Sequence, residues 1–395
     1  MTKLKFLAQA SAVALLSGLG ATAAFAADAP APAPMTTPAM AGPLAANPAP
    51  FSVDLPDWLD DAGGKVYVTG QLTGLGYWQS TPGRAVKGDA SSLIDLSNAQ
   101  IEIQKTDGWL QFYIQAGQYS FPTIGSPYVK SSLASAASFG AVPVAYLKLQ
   151  GEGDFSAWSV QGGKLPTLTG DEYNFTFENM NIERGLLWNL EPAISRGVQL
   201  NYASGPLSLS LAWTDGYYTN RLNTLSGLAS YVFSPSDTLA FSASGDVAGP
   251  FASPLASGSL YDFIWTHTDG NWTFSPYVQY ITTPTISKTI QSASVLGGAL
   301  LVSYSFDDNF KLAARGEYEG STTGFYPTTP NLIGYGAGSG AYSLTVTPTF
   351  QWKAFFARSD ISYVSTNSVT PGSVFGAGGR IKDQVRVMLE TGVLF

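Results

Sequence analysis

The chain has 395 residues, of which only 12% are charged while 13% are aromatic, with one histidine and no cysteine. The missing cysteines exclude disulfide scaffolds, thiol catalysis and zinc–thiolate centres, and the lone His267 excludes histidine-rich metal sites. Low charge, many aromatics and a mean hydropathy of +0.07 fit neither a soluble globular domain, which carries about twice that charge fraction, nor a helical membrane protein. They suit an all-β barrel with lipid outside and water inside.

Residues 1–26 read as a signal peptide. Lys3 and Lys5 form a short basic start, an apolar stretch with small residues follows, and Ala24-Phe25-Ala26 supplies the A-x-A cleavage pattern. Removing Lys3 and Lys5 leaves 18 basic against 28 acidic residues, so the mature chain carries about −10 and is a poor nucleic-acid binder. Residues 27–60 are expected to be a disordered linker, almost wholly Ala, Pro, Met and Thr up to residue 50. The remaining 61–395 form one domain. No later stretch is long enough and apolar enough to cross a bilayer as a helix; the nearest is Ala293 to Val302.

From Lys65 onward the hydrophobic period is two. Strands are expected near 65–78, 95–105, 108–118, 143–151 and 155–164, then near 197–204, 206–215, 225–233, 237–245 and 258–268. The last six fall near 271–282, 293–305, 309–319, 341–352, 355–365 and 382–395. This amounts to a transmembrane antiparallel β-barrel of about sixteen strands. In the segment from Tyr342 to Lys353, one face reads Tyr, Leu, Val, Pro, Phe, Trp and the other Ser, Thr, Thr, Thr, Gln, Lys. Such a strand has the length that crosses a bilayer at a tilt. From Phe310 to Glu319, Lys311, Arg315, Glu317 and Glu319 share one face. That face belongs to the lumen, because Lys or Arg against lipid near the midplane would cost about 2–4 kcal/mol.

Every second connection is tight and built of turn formers, among them Gly205-Pro206 and Thr268-Asp269-Gly270. The others are long: 79–94, 119–142, 165–196, 216–224, 246–257, 283–292, 320–340 and 366–381. Short periplasmic turns at one rim and long extracellular loops at the other are the barrel pattern. Trp109, Trp272, Trp352, Tyr202, Tyr280 and Phe350 fit interfacial girdles.

The final strand, Val385 to Phe395, resembles the C-terminal insertion signal of outer-membrane barrels, which the barrel-assembly machinery reads through the terminal Phe395. Inside the longest loop, Ile182-Glu183-Arg184-Gly185-Leu186-Leu187-Trp188, then Glu191-Pro192 and Gly197-Val198-Gln199-Leu200-Asn201-Tyr202, is similar to the OmpL-like β-barrel porin type 2 family. The likeness extends from about residue 60 to the end. It implies a bacterial outer-membrane porin surrounded by outer-membrane lipid and a water-filled channel for passive diffusion of ions and small hydrophilic solutes; the resemblance to general porins implies a homotrimer.

In general porins the third long loop folds inward. Here that loop, 165–196, carries Asp171, Glu172, Glu178, Glu183, Arg184, Glu191 and Arg196. Lys148, Lys311, Arg315, Lys353, Arg358 and Arg386 are the basic residues expected on the lumen face. An acidic loop against a basic wall would set a transverse field across an eyelet; alternatively the loop charges are solvated at the cell surface. Glu102, Glu317, Glu319, Asp360 and Glu390 also point to the lumen, where they face solute or pair with the basic residues. An enzyme is not expected, since His267 beside a tight turn reads as a satisfied turn histidine and no G-x-S-x-G elbow occurs. No cofactor or metal is implied. A plugged structural, adhesin or receptor barrel is the alternative.

Overall fold

A computed structural model describes residues 51–56, 64–83, 89–250, 253–322 and 328–395. The expected leader with Ala24 and Ala26, and the linker up to residue 50, lie outside the described residues.

Sixteen strands close into one antiparallel barrel: β2 (Lys65–Gln79), β3 (Ser92–Lys105), β4 (Leu110–Tyr119), β5 (Val144–Gln150), β6 (Trp158–Pro166), β7 (Ile194–Ser204), β8 (Leu207–Thr214), β9 (Thr224–Val232), β10 (Asp237–Asp246), β11 (Ser259–Asp269), β12 (Trp272–Thr283), β13 (Ala293–Ser305), β14 (Phe310–Ser321), β15 (Gly340–Trp352), β16 (Phe355–Asn367) and β17 (Asp383–Leu394). Each pairs with the next, and β17 closes on β2 from Arg386↔Gln79 to Leu394↔Gln71. Closure leaves no strand with a free edge along its length, the start of β2 excepted, and a closed sheet is the only sheet arrangement that satisfies every backbone group in lipid. A short helix, α1 (Ser131–Ala137), lies in the second long loop.

The strands form where the two-residue alternation is cleanest, and the faces fall as the pattern requires. On β15, Tyr342, Leu344, Phe350 and Trp352 are exposed on the outer wall, while Thr345, Thr347 and Thr349 are buried inside. Exposed aromatics gather in two outer belts. Trp158, Trp265, Trp272, Trp352 and Phe355 lie near the short-turn rim, and Trp78, Trp213, Tyr280, Tyr342 and Tyr363 lie toward the long loops. Aromatic rings concentrate at these two depths because their amphipathic edges suit the membrane interfaces.

The expected linker ends in structure. The strand β1 (Phe51–Asp54) pairs with β2 from Phe51↔Val68 to Asp54↔Lys65. The reason is an open edge. β17 runs out at Phe395, whose backbone exchanges two hydrogen bonds with Gly70 (2.7 and 2.9 Å), so the first residues of β2 extend past this partner. β1 follows in line with the end of β17 and occupies that edge.

Gly70 sits under the Phe395 ring, and a Cβ there would meet the ring at 2.5 Å. Gly70→Val is therefore expected to push the terminal ring off the wall and loosen the β17–β2 seam. The lower fraction of compact barrel on unheated electrophoresis after refolding would report it.

The largest departure from a simple polar-inside barrel is on β8 to β13. β13 is apolar on both faces, with Val295, Gly297, Ala299 and Leu301 turned inward and Leu296 and Leu300 turned outward. Leu228, Leu260, Ile264 and Ile281 continue the inward apolar surface. Something apolar must cover it, and that cover is the third long loop.

Candidate functional site

The loop between β6 and β7 enters the barrel. Its course is set by a side-chain staple: Asn179 accepts from the Tyr173 N–H through Oδ1 (2.7 Å) and donates through Nδ2 to the carbonyls of Tyr173 and Phe175 (3.0 and 2.8 Å). Glu178 Oε2 accepts from the Phe175 N–H (3.0 Å). These bonds satisfy backbone groups that would otherwise be orphaned in a buried loop. Burial pushes the Glu178 carboxyl up to about 8. Arg184, fully buried, donates to the carbonyls of Pro122, Asn174 and Ile182. Through Pro122, and through backbone pairing of Thr123 with Arg184, it joins the second long loop to the third.

One flank of the loop meets a charged wall on β14 to β17. Arg315 donates to Glu172 Oε1 (2.5 Å), to Glu317 Oε2 (3.1 Å) and to the Glu183 carbonyl (2.7 Å). Arg386 donates to Glu183 Oε1 (2.6 Å), to Gln79 Oε1, and to the carbonyls of Thr123 and Ser126. Glu183 also accepts from Ser362 (2.6 Å), and its N–H donates to Asp360 (2.8 Å). Arg358 bridges Glu390 on the wall (2.7 Å) to the carbonyls of Thr176 and Asn179 in the loop. These three arginines are 0–3% exposed.

The other flank is apolar. Leu168, Leu186, Leu187 and Leu190 share one core with the inward residues of β8 to β13. Gly297 makes room for Leu187, since a Cβ there would lie 3.1 Å from the leucine side chain. At the loop's tip, the stacked Phe175 and Phe177 pack with Tyr113 and Tyr119 of β4 and with Phe356.

Of the residues singled out by sequence, Glu172, Glu178, Glu183 and Arg184 come together on this loop, and Arg315, Glu317, Arg358, Arg386, Asp360 and Glu390 come together on the facing wall. Glu319 is buried farther along β14 toward the long loops, and Lys311 is half-buried on the lumen face toward the short-turn rim. Lys148 and Glu102 are buried on the lumen face of β5 and β3.

Three expectations need correction. The acidic loop and basic wall do not face each other across a gap; they touch, because unpaired charges at this depth would be prohibitively desolvated. Arg196 is not in the loop. It belongs to β7 and shares the outer face with Val198 and Leu200, bonded to Asp215 (2.6 Å) with its guanidinium 4.0 Å from the Tyr218 ring. Lys353 occupies the β15–β16 turn at φ 52° and lies over Trp352. His267, also on the outer face, pairs with Asp237 (2.7 Å).

Sequence reasoning missed the apolar half of the site. A signal was present: Leu186-Leu187-Trp188-Asn189-Leu190 is too hydrophobic for a loop at the cell surface.

A closed sixteen-strand barrel with an apolar, aromatic-belted exterior, short turns at one rim and a long loop folded into its interior defines an outer-membrane β-barrel of the porin type. The family model described as "Putative beta-barrel porin-2, OmpL-like" matches residues 65–395, and the chain belongs to this family of bacterial outer-membrane porins. Similar solved structures include an anion-selective porin from Comamonas acidovorans (11% identity, TM-score 0.59, covering 84% of this chain and all of that one). OmpF of Salmonella typhi (14%, 0.56, 87% and 100%) and OmpT of Vibrio cholerae (10%, 0.55, 84% and 98%) share the same fold. No curated protein sequence matches the chain.

Proposed function

We propose that this porin conducts ions and small hydrophilic solutes by passive diffusion through a lumen narrowed by its third long loop. The observation that carries this reading is the two-sided anchorage of the loop, with arginine pairs on β14 and β17 and a leucine core on β8 to β13. A loop held on both sides divides the interior and limits what passes. Glu172, Glu178, Glu183 and Arg184 on the loop, with Lys311, Arg315, Glu317, Glu319, Arg358 and Arg386 on the wall, border the narrowing. Because most of these charges cancel in pairs, the passage sorts solutes mainly by size. The reversal potential under a salt gradient is expected to stay close to zero, and a strongly anion- or cation-selective value would contradict this. Liposome swelling with neutral sugars of increasing size tests the sieve: rates should fall steeply with solute size.

A barrel closed at rest is a second reading. It is favoured by the burial of inward residues on the wall away from the charged sector, among them Gln71, Gln100, Gln115 and Lys148. Absence of swelling with the smallest sugar would support it.

The remaining assignments follow the class. Export would remove the leader at Ala24-Phe25-Ala26, the assembly machinery would read β17 through Phe395, and outer-membrane lipid would surround the exposed apolar wall. A homotrimer is proposed by analogy with OmpT of Vibrio cholerae, one of whose structures is a trimer form.

A further inference from the structure

The ion-paired flank accounts for Glu172 and Glu183 but leaves three buried carboxylates at the loop's other flank without a role. Asp171 and Glu191 lie at the two ends of the third loop, and Asp262 lies on the inner face of β11. The three gather where the loop meets the apolar wall. Asp262 Oδ2 accepts from the Gly170 N–H (2.9 Å) and from Ser242 Oγ (3.0 Å). Glu191 Oε1 accepts from Gln279 Nε2 (2.7 Å), and its carboxylate lies against Gly170, where a Cβ would meet Oε2 at 1.9 Å. Asp171 Oδ2 accepts from Ser275 Oγ (2.5 Å).

One oxygen of each carboxylate, Asp171 Oδ1, Glu191 Oε2 and Asp262 Oδ1, is buried without a partner. So is the hydroxyl of Tyr277, which stands between Ser275 and Gln279 on the inward face of β12 and is 2% exposed. None of the ion pairs among the described residues reaches these three acids. The charged and titratable groups around them are Glu172 and Glu317, both committed to Arg315, and the phenols of Tyr173, Tyr217 and Tyr277, of which Tyr217 donates to the Leu190 carbonyl.

Three negative charges cannot share a buried site with no cation beside them. We infer that Asp171, Glu191 and Asp262 form a proton-binding cluster that fastens the third loop to the apolar wall when protonated and loosens that edge as it ionises. Each protonated acid also gains a donor, which its unpartnered oxygen lacks as a carboxylate. Burial raises the Asp171 carboxyl to about 8, and burial together with Asp262 raises Glu191 well above its usual range. The opposite flank is held by arginines, which stay charged throughout. The loop would therefore hinge on β14 and β17 while its other edge responds to pH.

The direction follows from linkage. The folded state holds protons that the unfolded chain gives up near pH 4, so the cluster's contribution to stability falls as pH rises from about 4 to about 8. As regards conduction, the inference rests on the passive-channel reading; as regards stability, it does not.

The test compares the refolded wild-type barrel with Asp171→Asn and Glu191→Gln across about pH 5 to pH 9, a window that spans the ionisation. Two quantities are read at each pH: the midpoint of heat unfolding and the single-channel conductance. For the wild type, the midpoint should shift down and the conductance should rise as pH increases. In each neutral variant both dependences should be weaker than in the wild type, since one acid of the cluster no longer ionises. Should either variant fail to refold, Asp262→Asn replaces it. A wild-type midpoint that does not move with pH, or variants that keep the full wild-type dependence, would overturn the inference. A pH-dependent midpoint that flattens in the variants, in a barrel that conducts at no pH, would sustain the proton cluster while removing the channel reading.

Discussion

Replacing Arg315 with alanine is expected to destabilise the refolded barrel by about 3–5 kcal/mol, the range for breaking a buried ion pair from one side. Arg315 is fully buried and is the shared partner of Glu172 and Glu317. Its loss leaves two carboxylates desolvated and takes away the donor to the Glu183 carbonyl. The effect should reach beyond stability, because Glu172 is a loop residue and Glu317 a wall residue. With the guanidinium gone, like charges face each other across the junction and the loop is driven off β14. Urea unfolding followed by loss of heat-modifiable electrophoretic mobility measures the first effect. A larger and noisier single-channel conductance measures the second. Arg315→Lys should recover only part of either, since an ammonium cannot address Glu172, Glu317 and the carbonyl with a planar fork.

The second large effect concerns Glu183 and Arg386, paired at 2.6 Å with both side chains essentially buried. Each single substitution, Glu183→Leu or Arg386→Met, is expected to cost about 3–5 kcal/mol, because it strands the remaining charge. The double variant should cost clearly less than the sum, since residues in direct contact are not additive. Arg386→Met should be the worse single change. Arg386 also donates to the carbonyls of Thr123 and Ser126 and to Gln79, so its removal frees the second loop along with the third. Protease cleavage within residues 120–128 of the Arg386→Met variant, absent from wild type, would show this directly.

How far the sequence could be read depended on what each kind of pattern encodes. Strand alternation is local, so β14 and β15 were legible with their correct faces, and Arg315 and Glu317 could be placed inward from their neighbours alone. The alternation of tight and long connections likewise revealed the direction of the barrel. Register at strand ends was harder. β7 begins at Ile194, earlier than its pattern suggests, and those few residues move Arg196 from the loop to the outer wall. What fills a barrel is not local at all. The inward Val295, Ala299 and Leu301 look like weak strand residues until Leu187 is found against Gly297. The same limit applies to the charges. Parity put Arg386 on the lumen face and the likeness to general porins put Glu183 in the same compartment, but only the fold shows that they meet rather than stand apart. β1 escaped notice because its cause is the exposed edge of β2 beyond Phe395, not any property of Phe51–Asp54.

The most direct test of the account is the single-channel conductance of the refolded wild-type protein in a planar bilayer, measured beside the Arg315→Ala variant. Discrete conductance steps in the wild type, enlarged in the variant, are the predicted result, because the third loop would then be a narrowing that Arg315 holds in place. A wild-type barrel that inserts and conducts nothing, with a variant equally silent, would contradict it.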